Sequence, residues 1–212
     1  TESNGNWFIA IMKQYGPMLL RGTGMTLLIS LVGTIVGFII GLLVGIIRTT
    51  PKPKKLGQRG LRAVINWLLS LYIEVFRGTP MIVQAAVLYY GAAQAWHLNM
   101  DRTTAALLIV SINTGAYISE IIRGGIISVD EGQFEAANAL GMTHLQTMMK
   151  VILPQAVRNS LPAVTNEFIV NIKDTSVLSV ISVSELFFSG ETIAGQSFQF
   201  FHTYLILSAI YL

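Results

Sequence analysis

Seven side chains able to bind a solute or move a proton stand within stretches otherwise apolar enough for lipid: Asn113, Tyr117, Glu120, Glu167, Asp174, Ser176 and Ser179. An ionisable group at bilayer depth is costly unless it faces protein or water, so such residues mark either a solute path or polar bonding between helices. Asn113, Tyr117, Glu120 and Gly124 recur at i, i+4, i+7 and i+11, one face of a helix. Pairing of Glu120 with Arg123, three residues on, is the alternative to a solute contact. A second set of residues sits in a polar stretch: Glu135-Ala136-Ala137, then Gly141, then Leu153-Pro154. Glu135 is a charged anchor for a basic partner, and the two alanines make a helix thin enough to enter a groove. Gly141 lets the backbone turn after a helix, and Pro154 suits a helix start, where no amide hydrogen is needed. A polar helical insert between apolar stretches is where a membrane protein presents a handle to a soluble partner.

Other chemistry is missing. The chain has no G-x-x-x-x-G-K-[ST] phosphate loop, no H-E-x-x-H and no G-x-S-x-G, so it neither cradles ATP itself nor shows a hydrolase signature. His97, His144 and His202 are scattered, and no second ligand lies at helical spacing from His97, which we expect at the surface. No cysteine is present, which removes disulfides and thiolate metal sites. We expect no catalytic residue, no metal ligand and no cofactor in this chain.

The elements that position these residues follow from composition. Of 212 residues 52% are hydrophobic and 12% charged, half the charge of a soluble domain, so lipid is part of the solvent. Met25–Ile47 is 23 residues without a charge, long enough at roughly 35 Å for a ~30 Å hydrocarbon core. Within it Gly33, Gly37, Gly41 and Gly45 form a small-residue stripe suited to close helix packing, with a homodimer seam as the sharper alternative. Six of the 14 basic residues then fall between Arg48 and Arg62, including Lys52, Lys54 and Lys55. This cluster places the loop in the cytoplasm and the N-terminus outside, and accounts for most of the +3 net charge without nucleic acid. Pro51, Pro53, Gly57 and Gly60 argue against regular structure across it.

Leu61–Phe76 reads as a helix lying at or entering the inner interface, ended by Arg77-Gly78-Thr79-Pro80. Spans are expected at Pro80–Trp96, with Trp96 near the outer interface, and at Thr103–Ile122. The polar stretch Val129–Lys150, with helix formers at Phe134–Leu140, returns to the cytoplasm. A fourth span from Pro154 is expected to break at Lys173-Asp174-Thr175 and resume over Val177–Phe188, as in the discontinuous helices of transporters. No basic residue follows Lys173, which suits an outward-facing segment, and Phe198–Leu212 begins a last span too short to cross comfortably. The expectation is one transmembrane domain over 1–212 with a polar loop at about 128–154. An upstream piece is expected before Thr1, with room for a fused binding domain, and a continuation is expected beyond Leu212.

The polar loop resembles the EAA loop of bacterial ATP-binding-cassette (ABC) importer permeases: Glu135-Ala136-Ala137, Gly141, and Val151-x-Leu153-Pro154, with Val151 where isoleucine is usual. Three further stretches are similar to the polar amino acid branch of that family, which serves glutamine, glutamate, histidine, arginine and similar solutes. They are Phe76–Pro80, Asn113–Tyr117 with Glu120–Gly125, and Asn166–Phe168 through Lys173–Ser176. The resemblance covers about Leu20–Leu212 and lacks the family's C-terminal tail. It implies an all-α membrane protein of the type I importer permease kind, with five transmembrane helices, an interfacial helix and a cytoplasmic coupling helix. It also implies separate ATPase subunits carrying ATP and Mg, a second permease copy, identical or closely related, and an extracytoplasmic amino-acid-binding protein. Glu135, Ala136, Ala137, Gly141, Leu153 and Pro154 would couple to the ATPase. The solute would pass Asn113, Tyr117 and Glu120 on one side and Glu167, Asp174, Ser176 and Ser179 on the other. Two other classes remain open at this point: an ion-driven carrier using Glu120, Glu167 and Asp174 as a proton relay, and a membrane scaffold that transports nothing.

Overall fold

The computed structural model describes residues 4–50 and 56–212. The basic residues Lys52, Lys54 and Lys55, with Pro51 and Pro53, lie outside the described residues, as does Thr1. Among the described residues the regular structure is helical. In chain order it comprises α1 (Asn4–Thr49), α2 (Leu56–Gly78), α3 (Met81–Trp96), α4 (Arg102–Ile127), α5 (Glu131–Ala139) and α6 (His144–Thr147). A π-turn (Met148–Ile152) leads into α7 (Leu153–Asp174), followed by a 3-10 segment (Thr175–Ile181), α8 (Leu186–Ser197) and α9 (Phe200–Tyr211).

Of these, α1 over Trp7–Thr49 and α4 are each long and apolar enough to cross a membrane alone. Two bent pairs, α2 with α3 and the rod from His144 to Ile181 with α8, qualify only as pairs, and α9 is a shorter apolar helix. Two boundaries differ from the sequence reading. α1 runs through Arg21 and Pro17 back to Asn4, because an exposed arginine bounds an apolar stretch without interrupting backbone hydrogen bonding. α2 includes Gly57 and Gly60, where no regular structure was expected. Each glycine costs about 1 kcal/mol in a helix, too little to stop an amphipathic one.

The chain divides into two compact units. The first takes α1 up to Gly33, Pro80–Val110 and Ile169–Leu212. Its core gathers Ile29, Ala85, Ala106, Ile109, Leu178 and Ile181. α3 lies along the 3-10 segment, and the Tyr90 hydroxyl donates to the Val180 carbonyl at 3.0 Å. The α-helix does end within the break expected at Lys173–Thr175, but the backbone does not open there. α7 passes Lys173 and ends at Asp174, and the rod tightens to 3-10 geometry through Ile181. The hydroxyls of Thr175 and Ser176 donate to the carbonyls of Ile172 and Lys173, at 2.9 and 2.7 Å, so they support the helical backbone instead of interrupting it. The chain turns at Ser182, in the left-handed region at φ 57°, and α8 starts only at Leu186.

Glu185 makes that start. Its carboxylate is fully buried and accepts the amides of Phe187 and Phe188, at 2.8 and 2.6 Å, and the Tyr211 hydroxyl at 3.3 Å. The N-terminus of a helix favours negative charge, which lets a buried carboxylate stand here. The Thr26 hydroxyl oxygen accepts the next orphan amide, that of Leu186, at 3.1 Å.

The second unit takes Thr34–Thr79 and Ser111–Phe168. Here the glycine stripe of α1 lies on α4. A methyl added at Gly37, Gly41 or Gly45 would come within 2.8, 2.7 or 2.9 Å of Thr114, Ile118 and Ile122 respectively. In the first unit Gly33 lies in the same way on Val110. Lipid tails remove the usual hydrophobic drive between helices, so close backbone approach and dispersion hold such pairs together. The stripe is thus spent inside the chain. Below it Ile118, Ile122, Ile126, Met148, Ile152 and Ala156 form one core that ties α4 to the π-turn and α7. Arg62 of α2 donates to the carbonyls of Ile47 and Thr50, at 2.5 and 2.6 Å, satisfying the C-terminal end of α1 with a cation.

Candidate coupling tip and polar cleft

The tip is built from local signals. Asp130 caps α5, its carboxylate accepting the Gly132 amide at 2.8 Å. The helix begins at Glu131, one turn before the helix formers of Phe134–Leu140, because the cap precedes that run. Gly141 follows with φ +75°. The Met142 amide reaches back to Ala137 O at 3.1 Å and the Gly141 amide to Asn138 O at 2.9 Å, the paired bonds of a Schellman stop. Two residues later Thr143 opens α6 with a reciprocal capping box: Gln146 N donates to Thr143 Oγ1 at 3.3 Å and Thr143 N to Gln146 Oε1 at 2.9 Å.

Glu135 and Ala136 are exposed, while Ala137 is buried, with α5 packed against the π-turn. The second alanine is therefore used inside the unit, not on its outer surface. Leu140 is 82% exposed and Leu145 70%, so an apolar patch rims the glycine turn. Pro154 does not open a new helix. It falls in a helical run continuous from His144, and the wide turn before it, closed by Leu153 N donating to Met148 O, is the register change that accommodates a residue without an amide hydrogen. Leu153 is half-buried beside it.

The second feature is the polar face of α4 beneath α2. The Asn113 amide donates to Phe76 O at 3.2 Å, and the Tyr72 hydroxyl donates to Ile112 O at 2.5 Å. Glu120 pairs with Arg123 at 2.8 Å, as the spacing suggested, and also with Arg48 from the end of α1. The Arg77 guanidinium stands 5.3 Å over the Tyr117 ring, within cation–π range. Arg48, Ser70, Glu74, Arg77, Tyr117 and Glu120 line a cleft of about 670 Å³. Three charges here, Arg48, Glu74 and Arg77, were absent from the sequence-derived site. The signal for two of them was legible: Glu74 and Arg77 interrupt an apolar run one helical turn apart.

Glu167 is half-buried in the same unit. Asp174, Ser176 and Ser179 belong to the other unit, at the end of α7 and in the 3-10 segment, with Asp174 exposed and both serines half-buried. His97 is exposed, as expected, and caps α3 at φ 52°. Among the described residues no group of three or more His, Cys, Asp or Glu side chains is placed to hold a metal ion.

Residues 37–212 match the model of the family described as binding-protein-dependent transport system inner membrane component. The glutamine transport system permease protein of Escherichia coli is 39% identical over 197 residues, covering 92% of this chain and 85% of that one. The L-cystine transport system permease protein of Bacillus subtilis is 44% identical over 133 residues, and the aligned stretch spans 56% of its length. A solved structure of an amino acid ABC transporter with histidines superposes with a TM-score of 0.83 at 38% identity, covering 96% of this chain and 90% of its own. The chain belongs to the family of binding-protein-dependent transport system inner membrane components.

Proposed function

We propose that this chain is the permease subunit of an ABC importer that carries a polar or charged amino acid inward across the bacterial cytoplasmic membrane. The observation that carries this reading is the tip: an exposed, doubly capped helix bearing Glu135 and ending on a glycine in the left-handed region. Glutamine, L-cystine and amino acid transport in the relatives' names supports the solute class.

The partners in this reading are two ATPase subunits, a second permease copy and an extracytoplasmic amino-acid-binding protein. ATP and Mg belong to the ATPases, the N-terminus faces outside, and residues 1–212 act as one membrane domain with its coupling loop at about 128–154. Closure of the ATPases moves the tip. Solute and nucleotide shift the permease between outward- and inward-open states only as far as they bind those states unequally. In passage the solute touches Asn113, Tyr117, Glu120 and Glu167, and also Asp174, Ser176 and Ser179. Carboxylates are suited to its ammonium group, and helix-end amides or a guanidinium to its carboxylate.

The test is purification in mild detergent with mass spectrometry of everything retained, followed by uptake into vesicles. An ATPase that copurifies, together with uptake that needs ATP and survives an uncoupler, is the expected result. Uptake lost to an uncoupler at constant ATP would instead make the chain an ion-driven carrier.

A further inference from the structure

The cleft between α2 and α4 holds a cation in an unusual place. Tyr117 is the sixteenth residue of the 26-residue α4, roughly 22 Å along a helix of roughly 39 Å, so its ring sits well inside the span. Arg77 is brought to that depth because α2 is pinned to α4 by Tyr72 on Ile112 O and Asn113 on Phe76 O. A guanidinium there needs protein or water around it. The Tyr117 ring lies against it, and both residues line the open cleft. Among the described residues neither Arg77 nor Glu74 has an ion-pair partner, although they stand three apart on one helical face. Glu120, by contrast, is held by Arg48 and Arg123. One turn of α2 therefore presents a cation and a carboxylate, each unpaired, to a polar cavity.

An α-amino acid carries the complementary pair, a carboxylate and an ammonium on one carbon. We propose that Arg77 and Glu74 form a subsite for the zwitterionic head of the transported amino acid, with Arg77 taking the α-carboxylate and Glu74 the α-ammonium. The Tyr117 ring lies against the guanidinium at the cleft wall, a planar contact that a lysine could not match. Because every amino acid has the same head, this subsite recognises the class, and side-chain selectivity lies elsewhere. The proposal rests on the amino acid importer reading above.

The test is equilibrium binding of tritiated L-glutamine, L-histidine and L-arginine to the whole detergent-purified transporter, each competed by its own α-amide, which lacks the anionic carboxylate. We expect the amide to compete about tenfold more weakly than the acid on the wild type, the scale of a lost charge-assisted bond. Arg77→Met should lose about tenfold in affinity and abolish the acid-over-amide preference, Arg77→Lys should keep part of it, and Glu74→Gln should weaken binding about threefold or more. Wild type that binds acid and amide equally, or Arg77→Met that keeps the preference, overturns the subsite alone. Should Arg77→Met fail to assemble, the wild-type competition and Arg77→Lys decide. A wild type that binds none of these three, nor L-cystine, overturns the subsite together with the amino acid reading.

Discussion

The proposed coupling tip and the charged cleft belong to the same compact unit, yet they are held in opposite ways. The tip is fixed by bonds between residues two to five apart: Asp130 to Gly132, Met142 to Ala137, Thr143 to Gln146. The cleft is fixed by bonds that join residues tens of positions apart, such as Asn113 to Phe76 and Arg48 to Glu120. A locally built element keeps its shape when it is displaced as a body, which suits a lever pushed by a partner. A cleft assembled from three helices changes whenever those helices shift, which suits a site that must bind and then release.

Gly141→Leu attacks the tip hardest. A side chain in the left-handed region costs about 1–2 kcal/mol and removes the stop, so the lever bends. Uptake should fall more than tenfold while the protein still reaches the membrane, and Glu135→Arg should also uncouple uptake from ATP hydrolysis. Wild-type uptake in either variant would remove the tip from coupling.

Glu120→Gln attacks the cleft. It leaves Arg48 and Arg123 without their counter-charge, and because the site is partly solvated a loss of about 1–3 kcal/mol is expected, read as a lowered thermal midpoint in detergent. Uptake should weaken as well if Glu120 meets the solute. Unchanged kinetics with lowered stability would reduce it to packing.

Glu185→Ala, in the other unit, tests the same principle where a local cap is buried. Three donors lose their acceptor, and about 1–3 kcal/mol should disappear, with Glu185→Gln restoring much of it. An Ala variant as stable as the wild type would show that the turn at Ser182 holds α8 without the cap.

Asp130→Ala is the mildest change. Loss of one exposed N-cap costs about 1 kcal/mol, confined to α5, and hydrogen exchange should rise there while the helices of the cleft stay protected. Exchange rising equally in α2 and α4 would erase the distinction between the two regions.

The tip was legible because its signals are short-range. Glu135-Ala136-Ala137 and Gly141 named a helix and its stop. What went unread even there was which way Ala137 points and that Pro154 lies within a continuing rod, since both depend on how α5 meets the π-turn. The spans of α1 and α4 were legible from apolar length and the end of α7 from its charges, but the continuation of α7 as a 3-10 rod was not. Lys173-Asp174-Thr175 looks like a break by polarity, and only backbone geometry shows its hydroxyls bonding back onto the helix.

The amino-acid sequence alone determined that this chain lives in lipid, that it is helical, and that a polar rod with a glycine stop interrupts the apolar stretches. Lipid admits few backbone solutions, and helix stops are written within a few residues. Only the tertiary structure decided that the glycine stripe of α1 is covered by α4, that Glu120 answers two arginines, and that Arg77 stands over Tyr117. Those outcomes depend on which helix faces which, and no spacing along a single helix carries that information.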